Sequence, residues 1–119
     1  MIELLVVVAI IGILSAIGIV AYRGFIENTK EKQAQTGLQS IYLAQVEYRS
    51  INKIYYVASG GCGDQTSNLN NGLFGGDVTL NNDNYRYCIS GSSNAFTANA
   101  YSKFGGKNFW IKNTNQKSW

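Results

Sequence analysis

The apolar residues of this chain are concentrated at its N-terminus, in a run that carries no charged side chain. The run covers nineteen residues from Leu4 to Tyr22, and Glu3 and Arg23 bracket it. A helix rises about 1.5 Å per residue, so this run spans roughly 28 Å, close to the thickness of a bilayer's hydrocarbon core. The pattern therefore predicts a helix that is apolar on every side and long enough to cross a membrane.

After Tyr22 the apolar residues recur at intervals of three and four, which is the spacing of one stripe along a helix. The stripe comprises Ala34, Leu38, Ile41, Ala44, Tyr48, Ile51 and Tyr55. No proline interrupts it, because the chain contains none. We expect one long helix from about Ile2 to about Tyr55, hydrophobic in its first half and amphipathic in its second.

A glycine-rich break at residues 60–63 follows, within a loop that we expect over residues 56–84 with one short turn around Leu69. Three runs of strand-forming residues come next, at residues 85–89, 95–102 and 108–112. Turn residues separate the runs at hairpin spacing, which predicts a small antiparallel meander over residues 85–112.

These elements together predict an α+β fold with two parts. The apolar stripe of the helix needs a partner, and the small sheet supplies one. Residues 1–23 are then a hydrophobic anchor, and residues 24–119 are a globular head in which the helix packs on the sheet.

The head is small enough to need a covalent or metal staple. Its two cysteines, Cys62 and Cys88, are interpreted first as a disulfide, which would stabilise the fold by roughly 3–4 kcal/mol. Metal binding is the weaker interpretation, because the chain has no histidine and two thiols alone do not complete a zinc site.

The net charge of +3 is unevenly placed. Residues 1–100 carry six basic and seven acidic side chains, whereas residues 101–119 carry no acid and four lysines: Lys103, Lys107, Lys112 and Lys117. A solvated basic tail is the plainer interpretation. The alternative is a basic patch for DNA, an acidic surface or a neighbouring subunit.

No catalytic constellation is visible in the sequence, so we expect no enzyme activity and no cofactor. There is no histidine for acid–base work, and no phosphate-binding glycine loop precedes a helix. Asp64, Asp77 and Asp83 invite a calcium hypothesis, but their spacing matches no compact oxygen-ligand loop. A solvated loop without metal is therefore the favoured interpretation.

Residues 2–17, with the sequence IELLVVVAIIGILSAI, strongly resemble the N-terminal signature of type IV pilins and of their relatives, the type II secretion pseudopilins. The resemblance includes the single acid at the membrane edge and the glycine within the apolar run. Over residues 56–119 it is one of architecture only. It implies a structural subunit that an inner-membrane assembly machinery polymerises into an extracellular helical filament, a homo-oligomer serving adhesion, twitching motility or DNA uptake.

Two positions depart from the family pattern. The mature chain of that family usually begins with an N-methylated Phe, then Thr and one more apolar residue, and Met1 stands in the third of these places. We expect either that the sequence is incomplete at its start, without the basic leader that a prepilin peptidase removes, or that its numbering begins at an assumed Met. The family also commonly has a proline, which would kink or break the helix, where this chain has Val20.

The resemblance also implies roles for individual residues. Glu3 is expected to pair with the N-terminal amine of a neighbouring subunit during assembly; the plainer interpretation leaves it at the lipid headgroups. The apolar helix is expected to anchor the chain in the inner membrane and then to form the filament core, through Leu4, Val7, Ile11, Gly12 and Leu14. We predict partial melting of the helix on assembly, at Gly12, Gly18 and Val20. Close contact between helices is the alternative role of the glycines.

Two other functions stay open on the sequence alone. One is a pseudopilin of a type II secretion system, which acts as a short periplasmic piston. The other is a minor or competence pilin whose basic tail binds DNA.

Overall fold

The structure is a computed structural model that describes residues 1–58 and 62–119. Residues 60 and 61 of the glycine-rich break expected at residues 60–63 lie outside this description. The elements in chain order are α1 (Ile2–Asn52), α2 (Thr66–Gly72), β1 (Tyr85–Gly91), β2 (Phe96–Ser102) and β3 (Phe109–Lys112). The strands form one antiparallel sheet in the order β1-β2-β3. The predicted α+β fold, with its long helix and three-stranded meander, is confirmed.

Helix α1 ends at Asn52, three residues before the expected limit at Tyr55. Lys53 adopts a left-handed backbone with φ of 68°, and its N–H still donates to the carbonyl of Arg49 over 2.8 Å. A single left-handed residue that closes a last backbone hydrogen bond is a common way to stop a helix. Tyr55 is therefore buried in the head but outside the helix.

The apolar stripe of α1 is confirmed at Ala34, Leu38 and Ile41, which are all fully buried. The next buried position is Gln45 rather than Ala44, because a repeat of 3.6 residues brings it onto the same face. The prediction was wrong for Ile51, which is 72% exposed near the end of the helix.

Gln45 is tolerated in the core because its side-chain amide is fully used. Its Nε2 donates to the carbonyl of Tyr56 over 2.8 Å, and its Oε1 accepts from the N–H of Tyr56 over 2.7 Å. A buried amide with both ends bonded avoids the desolvation penalty of an unpaired polar group. This pair fixes the chain just after α1 against the helix.

The inner face of the sheet completes the core. Alternate residues of the strands are buried, as the alternation predicted: Tyr85, Tyr87, Ile89, Phe96, Ala98, Ala100, Phe109 and Ile111. The small Ala98 and Ala100 in the central strand make room for aromatic rings on both flanks. Tyr55 and Phe96 meet edge-to-face with ring centroids 4.8 Å apart.

Both free edges of the sheet are covered by other parts of the chain. Along β1, the N–H of Gln65 donates to the Tyr87 carbonyl over 3.0 Å, and Gln65 Oε1 accepts from the N–H of Ile89 over 3.0 Å. Along β3, the C-terminal tail forms a bridge between Ile111 and Lys117. Covered edges cannot template pairing with another chain.

The predicted disulfide is confirmed between Cys62 and Cys88, whose Cα atoms lie 5.3 Å apart. It joins the segment that covers the β1 edge to β1 itself. The disulfide therefore restricts the conformations of the unfolded chain, and in the folded state it holds the edge-covering segment in place.

The chain divides into two compact units, Met1–Lys30 and Glu31–Trp119. The division lies seven residues beyond the boundary expected after residue 23. The first fully buried residue along the chain is Ala34, so the head begins where α1 first contributes to a core.

Candidate functional site

The main candidate site is the apolar surface of the first unit. Every large apolar side chain from Ile2 to Val20 is between 51 and 76% exposed, on all sides of the helix. By length and composition, α1 can span a membrane. Each such side chain gains about 1.5–3 kcal/mol when it is moved fully out of water. This surface therefore requires lipid, detergent or other copies of the chain around it.

The residues expected in a filament core are all available on this surface. Leu4, Val7, Ile11 and Leu14 are 52 to 68% exposed. They recur at intervals of three and four, so they share one face of α1. No residue in the described part of the chain covers that face.

The hydroxyl in the apolar run is satisfied within the helix. Ser15 Oγ donates to the carbonyl of Ile11, four residues earlier, over 2.7 Å. A hydroxyl that donates to a carbonyl of its own helix leaves no unpaired hydrogen-bond donor, either in lipid or in a helix bundle. Ser15 is therefore compatible with either surrounding.

Glu3 differs from every other side chain before Arg23, because it is the only charged one. It is exposed at the start of α1, and no other described residue forms an ion pair with it. A carboxylate at the edge of an apolar helix is costly in lipid unless it meets a cation or water. Within residues 1–58 and 62–119, the structure gives Glu3 no such cation.

No contact with the residues that the structure describes requires glycine at positions 12 and 18. A Cβ atom built at either position meets no atom within 4 Å. Helix α1 is continuous through both glycines and through Val20. The predicted melting concerns the assembled filament and stays a prediction.

The register of the sheet separates the four C-terminal lysines into two pairs. Lys112 lies opposite Thr97 at the start of β2, whereas Lys103 follows the end of that strand. Six residues of strand separate these positions, about 20 Å. Lys107 lies in the loop before β3, and Lys117 pairs with β3 at its other end. The lysines therefore do not form one continuous patch.

Lys103 is offset by an acid, since its Nζ lies 3.7 Å from Oδ2 of Asp64. Asp64 also accepts hydrogen bonds from the N–H and hydroxyl of Thr66, over 3.2 and 2.7 Å, and from Asn82 over 3.1 Å. Burial alone would raise the pKa of Asp64, but these bonds and the charge of Lys103 outweigh it and hold that pKa below its ordinary value. The carboxylate is thus engaged by local partners.

Asp77 and Asp83 do not join Asp64 in a metal site. Within residues 1–58 and 62–119, no three potential ligands of the His, Cys, Asp or Glu type are gathered around one point.

A second candidate site, which the sequence analysis missed, is the outer face of the sheet. Arg86 on β1 stands over the ring of Tyr101 on β2, with its Cζ 5.3 Å from the ring centroid. Lys112 on β3 lies over the ring of Trp110, with Nζ 5.2 Å from the centroid. Strand alternation placed Tyr101 on this face, but only the register shows which cation it meets.

Comparison with known proteins finds no family model, no curated protein and no solved structure that matches this chain.

Proposed function

We propose that the chain is a major pilin, the structural subunit of a type IV pilus, which polymerises through its N-terminal helix. The observation that carries this proposal is the exposed apolar surface from Ile2 to Val20, on all sides of the helix, with one acid at its edge. A membrane anchor alone would account for the apolar surface. The further proposal of a filament rests on the order of Glu3 and the residues that follow it, because this order resembles the pilin signature.

In this proposal the same surface works in two surroundings. Before assembly it lies among lipid tails in the bacterial inner membrane, after removal of a leader by a prepilin peptidase. During assembly the inner-membrane machinery transfers it into a bundle of identical helices, where the stripe through Leu4, Val7, Ile11 and Leu14 packs against neighbours. One apolar environment replaces the other, so the step requires no catalytic residue on the subunit.

Glu3 provides the check on register. An unpaired carboxylate within an apolar bundle is strongly disfavoured, whereas one that meets a neighbour's N-terminal amine is stabilised. Two unit charges 4 Å apart attract by about 4 kcal/mol at an effective dielectric constant near 20. A subunit that enters out of register loses this attraction and leaves the carboxylate buried alone.

The function is tested by electron microscopy of filaments sheared from bacteria that express the chain behind a prepilin leader. Long fibres built from this subunit, with residues 4–17 in their core, are the expected result. A chain that stays in the membrane fraction while the cells carry no fibre contradicts the major-pilin proposal. That result favours a pseudopilin or a minor pilin instead.

Glu3 is tested by Glu3→Val in the same cells. We expect normal amounts of subunit in the membrane and a loss of at least ~10-fold in fibre yield, the factor given by about 1.4 kcal/mol. Glu27→Val is the matched control, because Glu27 is also an exposed acid of α1 but lies beyond the apolar run. Equal fibre yields from the two variants would remove Glu3 from the assembly mechanism.

A further inference from the structure

A groove of about 220 Å³ in the head lies between α1 and the segment that precedes β1. One of its walls is formed by Gln33, Thr36 and Ser40 of α1, and the other by residues 79–81. All of the lining residues belong to the second compact unit. Every side chain of the two walls is polar except that of Leu80, so the groove suits a ligand that forms hydrogen bonds.

The hydroxyl of Tyr87 lies at the base of this groove. Tyr87 is only 2% exposed, and the hydroxyl end of its ring lies against Gly37, which also lines the groove. No residue within 1–58 and 62–119 forms a hydrogen bond with this hydroxyl, whereas every fully enclosed polar side-chain atom there has a partner. The hydroxyl is therefore reached through the groove. A buried donor without an acceptor costs free energy, which a ligand's oxygen would recover.

The wall that faces α1 is held in place by hydrogen bonds within the chain. Asn70 of α2 donates from Nδ2 to the Leu80 carbonyl over 2.9 Å and accepts at Oδ1 from the Leu80 N–H over 2.8 Å. The N–H of Asp83 donates to Oδ1 of Asn81 over 2.7 Å, which orients the amide of Asn81. The groove thus presents its polar groups in fixed positions, which lowers the entropic cost of binding.

The lining groups favour a neutral ligand over an ion. None of the lining residues, all in the described part of the chain, is charged, and an ion would lose its hydration here without a countercharge. The hydroxyls of Thr36 and Thr79 and the amide of Gln33 can each donate and accept hydrogen bonds. Ser40 Oγ donates to the Thr36 carbonyl over 3.0 Å and still has lone pairs that accept.

The size and the mixed hydrogen bonding of the groove match one sugar ring. Its volume is below the range of about 300–1,000 Å³ that holds drug-sized ligands. The hydroxyls on neighbouring carbon atoms of a sugar both donate and accept, as the groups of the two walls do. An apolar ligand of this size would leave those groups without partners.

We propose that this groove binds one neutral hexose unit, as a free sugar or as the end of a glycan chain. The Tyr87 hydroxyl donates to one oxygen of the sugar at the base of the groove. Thr36, Ser40 and Asn81 form hydrogen bonds with the hydroxyls nearer the opening. The site lies in the second unit and does not depend on filament assembly, so it can fail while the pilin proposal stands.

The test uses the full chain in micelles of a detergent that has no sugar headgroup. The chain has eight tyrosines, and labelling with ¹³C at Cζ makes each hydroxyl-bearing carbon visible by NMR. The signal that is lost in Tyr87→Phe identifies Tyr87. The probes are the methyl glycosides of glucose, galactose and mannose, with glycerol as the control. We expect at least one hexoside to shift the Tyr87 signal in a saturable way, and glycerol at the same concentration to leave it unchanged.

Two substitutions in β1 separate binding from structure. Tyr87→Phe should weaken the calorimetric affinity for the hexoside by about 2-fold to 10-fold, the factor for one neutral hydrogen bond. It should not lower the thermal midpoint at neutral pH, because no described residue bonds that hydroxyl. Tyr85→Phe is the matched control, because Tyr85 is equally buried and its hydroxyl donates to the Lys107 carbonyl over 2.9 Å. This control should lower the midpoint and leave the affinity unchanged.

A second pair of variants leaves the core untouched. Thr36→Val should weaken hexoside binding by a similar factor, because it removes an exposed hydroxyl of the groove. Thr29→Val should not, since Thr29 is an exposed residue of α1 that lies two turns earlier, outside the lining.

The source of the sugar is distinguished with a neutral trisaccharide that ends in the same hexose. Tighter binding of the trisaccharide than of the methyl hexoside identifies a glycan chain, and equal affinity identifies a single sugar. The proposal is overturned by any of three results: no shift of the Tyr87 signal with any hexoside, an equal shift with glycerol, or wild-type affinity in both Tyr87→Phe and Thr36→Val.

Discussion

At the scale of single residues, Gly37 of α1 lies in close contact with the ring of Tyr87 on the sheet. A Cβ at Gly37 would lie 2.7 Å from the hydroxyl oxygen of Tyr87 and 2.9 Å from two ring carbons. Glycine costs a helix about 1 kcal/mol relative to alanine, and here that cost lets the sheet approach α1. Gly37 is thus a packing residue, whereas the glycines nearer the N-terminus meet no side chain.

Gly37→Ala should therefore destabilise the head although alanine favours helix. Overpacking of a filled site costs about 1–3 kcal/mol, against a gain of about 1 kcal/mol in helix propensity. We expect a lower urea midpoint, followed by circular dichroism in detergent. Gly24→Ala is the control, because a Cβ there meets no atom within 4 Å, and it should leave the midpoint unchanged or raise it. Equal midpoints for the two variants would contradict the fit.

Tyr87 also makes stability sensitive to alkaline pH. Burial, with a smaller contribution from the neighbouring Tyr85, raises the pKa of Tyr87 from its ordinary 10.0 to about 12. The folded state therefore favours the neutral phenol. The contribution of neutral Tyr87 to the free energy of unfolding is fully present below pH 10 and is lost as the pH rises to about 12. The change is about 2–3 kcal/mol, at 1.36 kcal/mol per pH unit.

The measurement is the free energy of unfolding in urea between pH 9 and 12. The wild-type chain should lose stability steeply above pH 10, and Tyr87→Phe should lose markedly less over the same interval. If the free energy of unfolding fell in parallel with pH for the wild type and for Tyr87→Phe, other groups would be responsible for the loss of stability at alkaline pH.

At the scale of elements, the elements with a regular pattern were predictable and those held by distant contacts were not. Alternation gave the buried faces of the strands, and the stripe at Ala34, Leu38 and Ile41 gave the contact face of α1. Helix α2 has only seven residues, in a sequence rich in Asn and Ser that reads as loop. The sequence analysis expected one short turn around Leu69, and α2 lies at that place. Its helical form is not predictable from local propensity, because tertiary contacts stabilise so short a helix.

The covering of the β1 edge could not be predicted from the sequence either. It depends on Gln65 and Thr66 meeting Tyr87 and Ile89, more than twenty positions later. The same is true of the pairing of Arg86 with Tyr101, which only the strand register defines. Contacts between distant positions carry no periodic signal, and so the second candidate site escaped sequence analysis.

The disulfide is the element-scale feature with the largest expected effect on stability. Cys62 and Cys88 are 26 residues apart, for which the loop-entropy relation gives about 3.5 kcal/mol. Reduction should lower the thermal midpoint and release the segment that covers β1. The check is thermal unfolding with and without a phosphine reductant. The double variant Cys62→Ala/Cys88→Ala should have the same thermal midpoint as the reduced protein, and reductant should not change it. An unchanged midpoint in the reduced wild type would contradict a stabilising role of the disulfide.

At the scale of the whole molecule, the chain combines two surfaces with opposite requirements. Residues 2–20 expose apolar side chains on every side, whereas the head has a closed core and covered sheet edges. A covered sheet cannot drive association by strand pairing, so in the proposed filament the assembly contacts fall to the N-terminal helix. Under that proposal, the internal stability of the helix governs the mechanics of the filament.

The final prediction concerns that helix after assembly. In the single chain α1 is unbroken, because its backbone hydrogen bonds are local and nothing strains them. Gly12 and Gly18 weaken it by about 1 kcal/mol each, and packing among many copies can exceed that amount. We expect the cryo-electron microscopy map of the filament to show broken backbone hydrogen bonding between Gly12 and Val20. The break should be shorter than in type IV pilins that have a proline at the corresponding position.

The glycines and the position of Val20 can be tested separately. Gly12→Ala/Gly18→Ala should restore a continuous helix and give fibres that extend less under force. Val20→Pro should lengthen the melted segment, because proline removes a backbone donor and clashes with the preceding turn. Gly24→Ala, just beyond the segment, should change neither the map nor the extension. An unbroken helix through residues 10–24 in the wild-type filament would mean that the glycines serve close helix contact instead of unwinding.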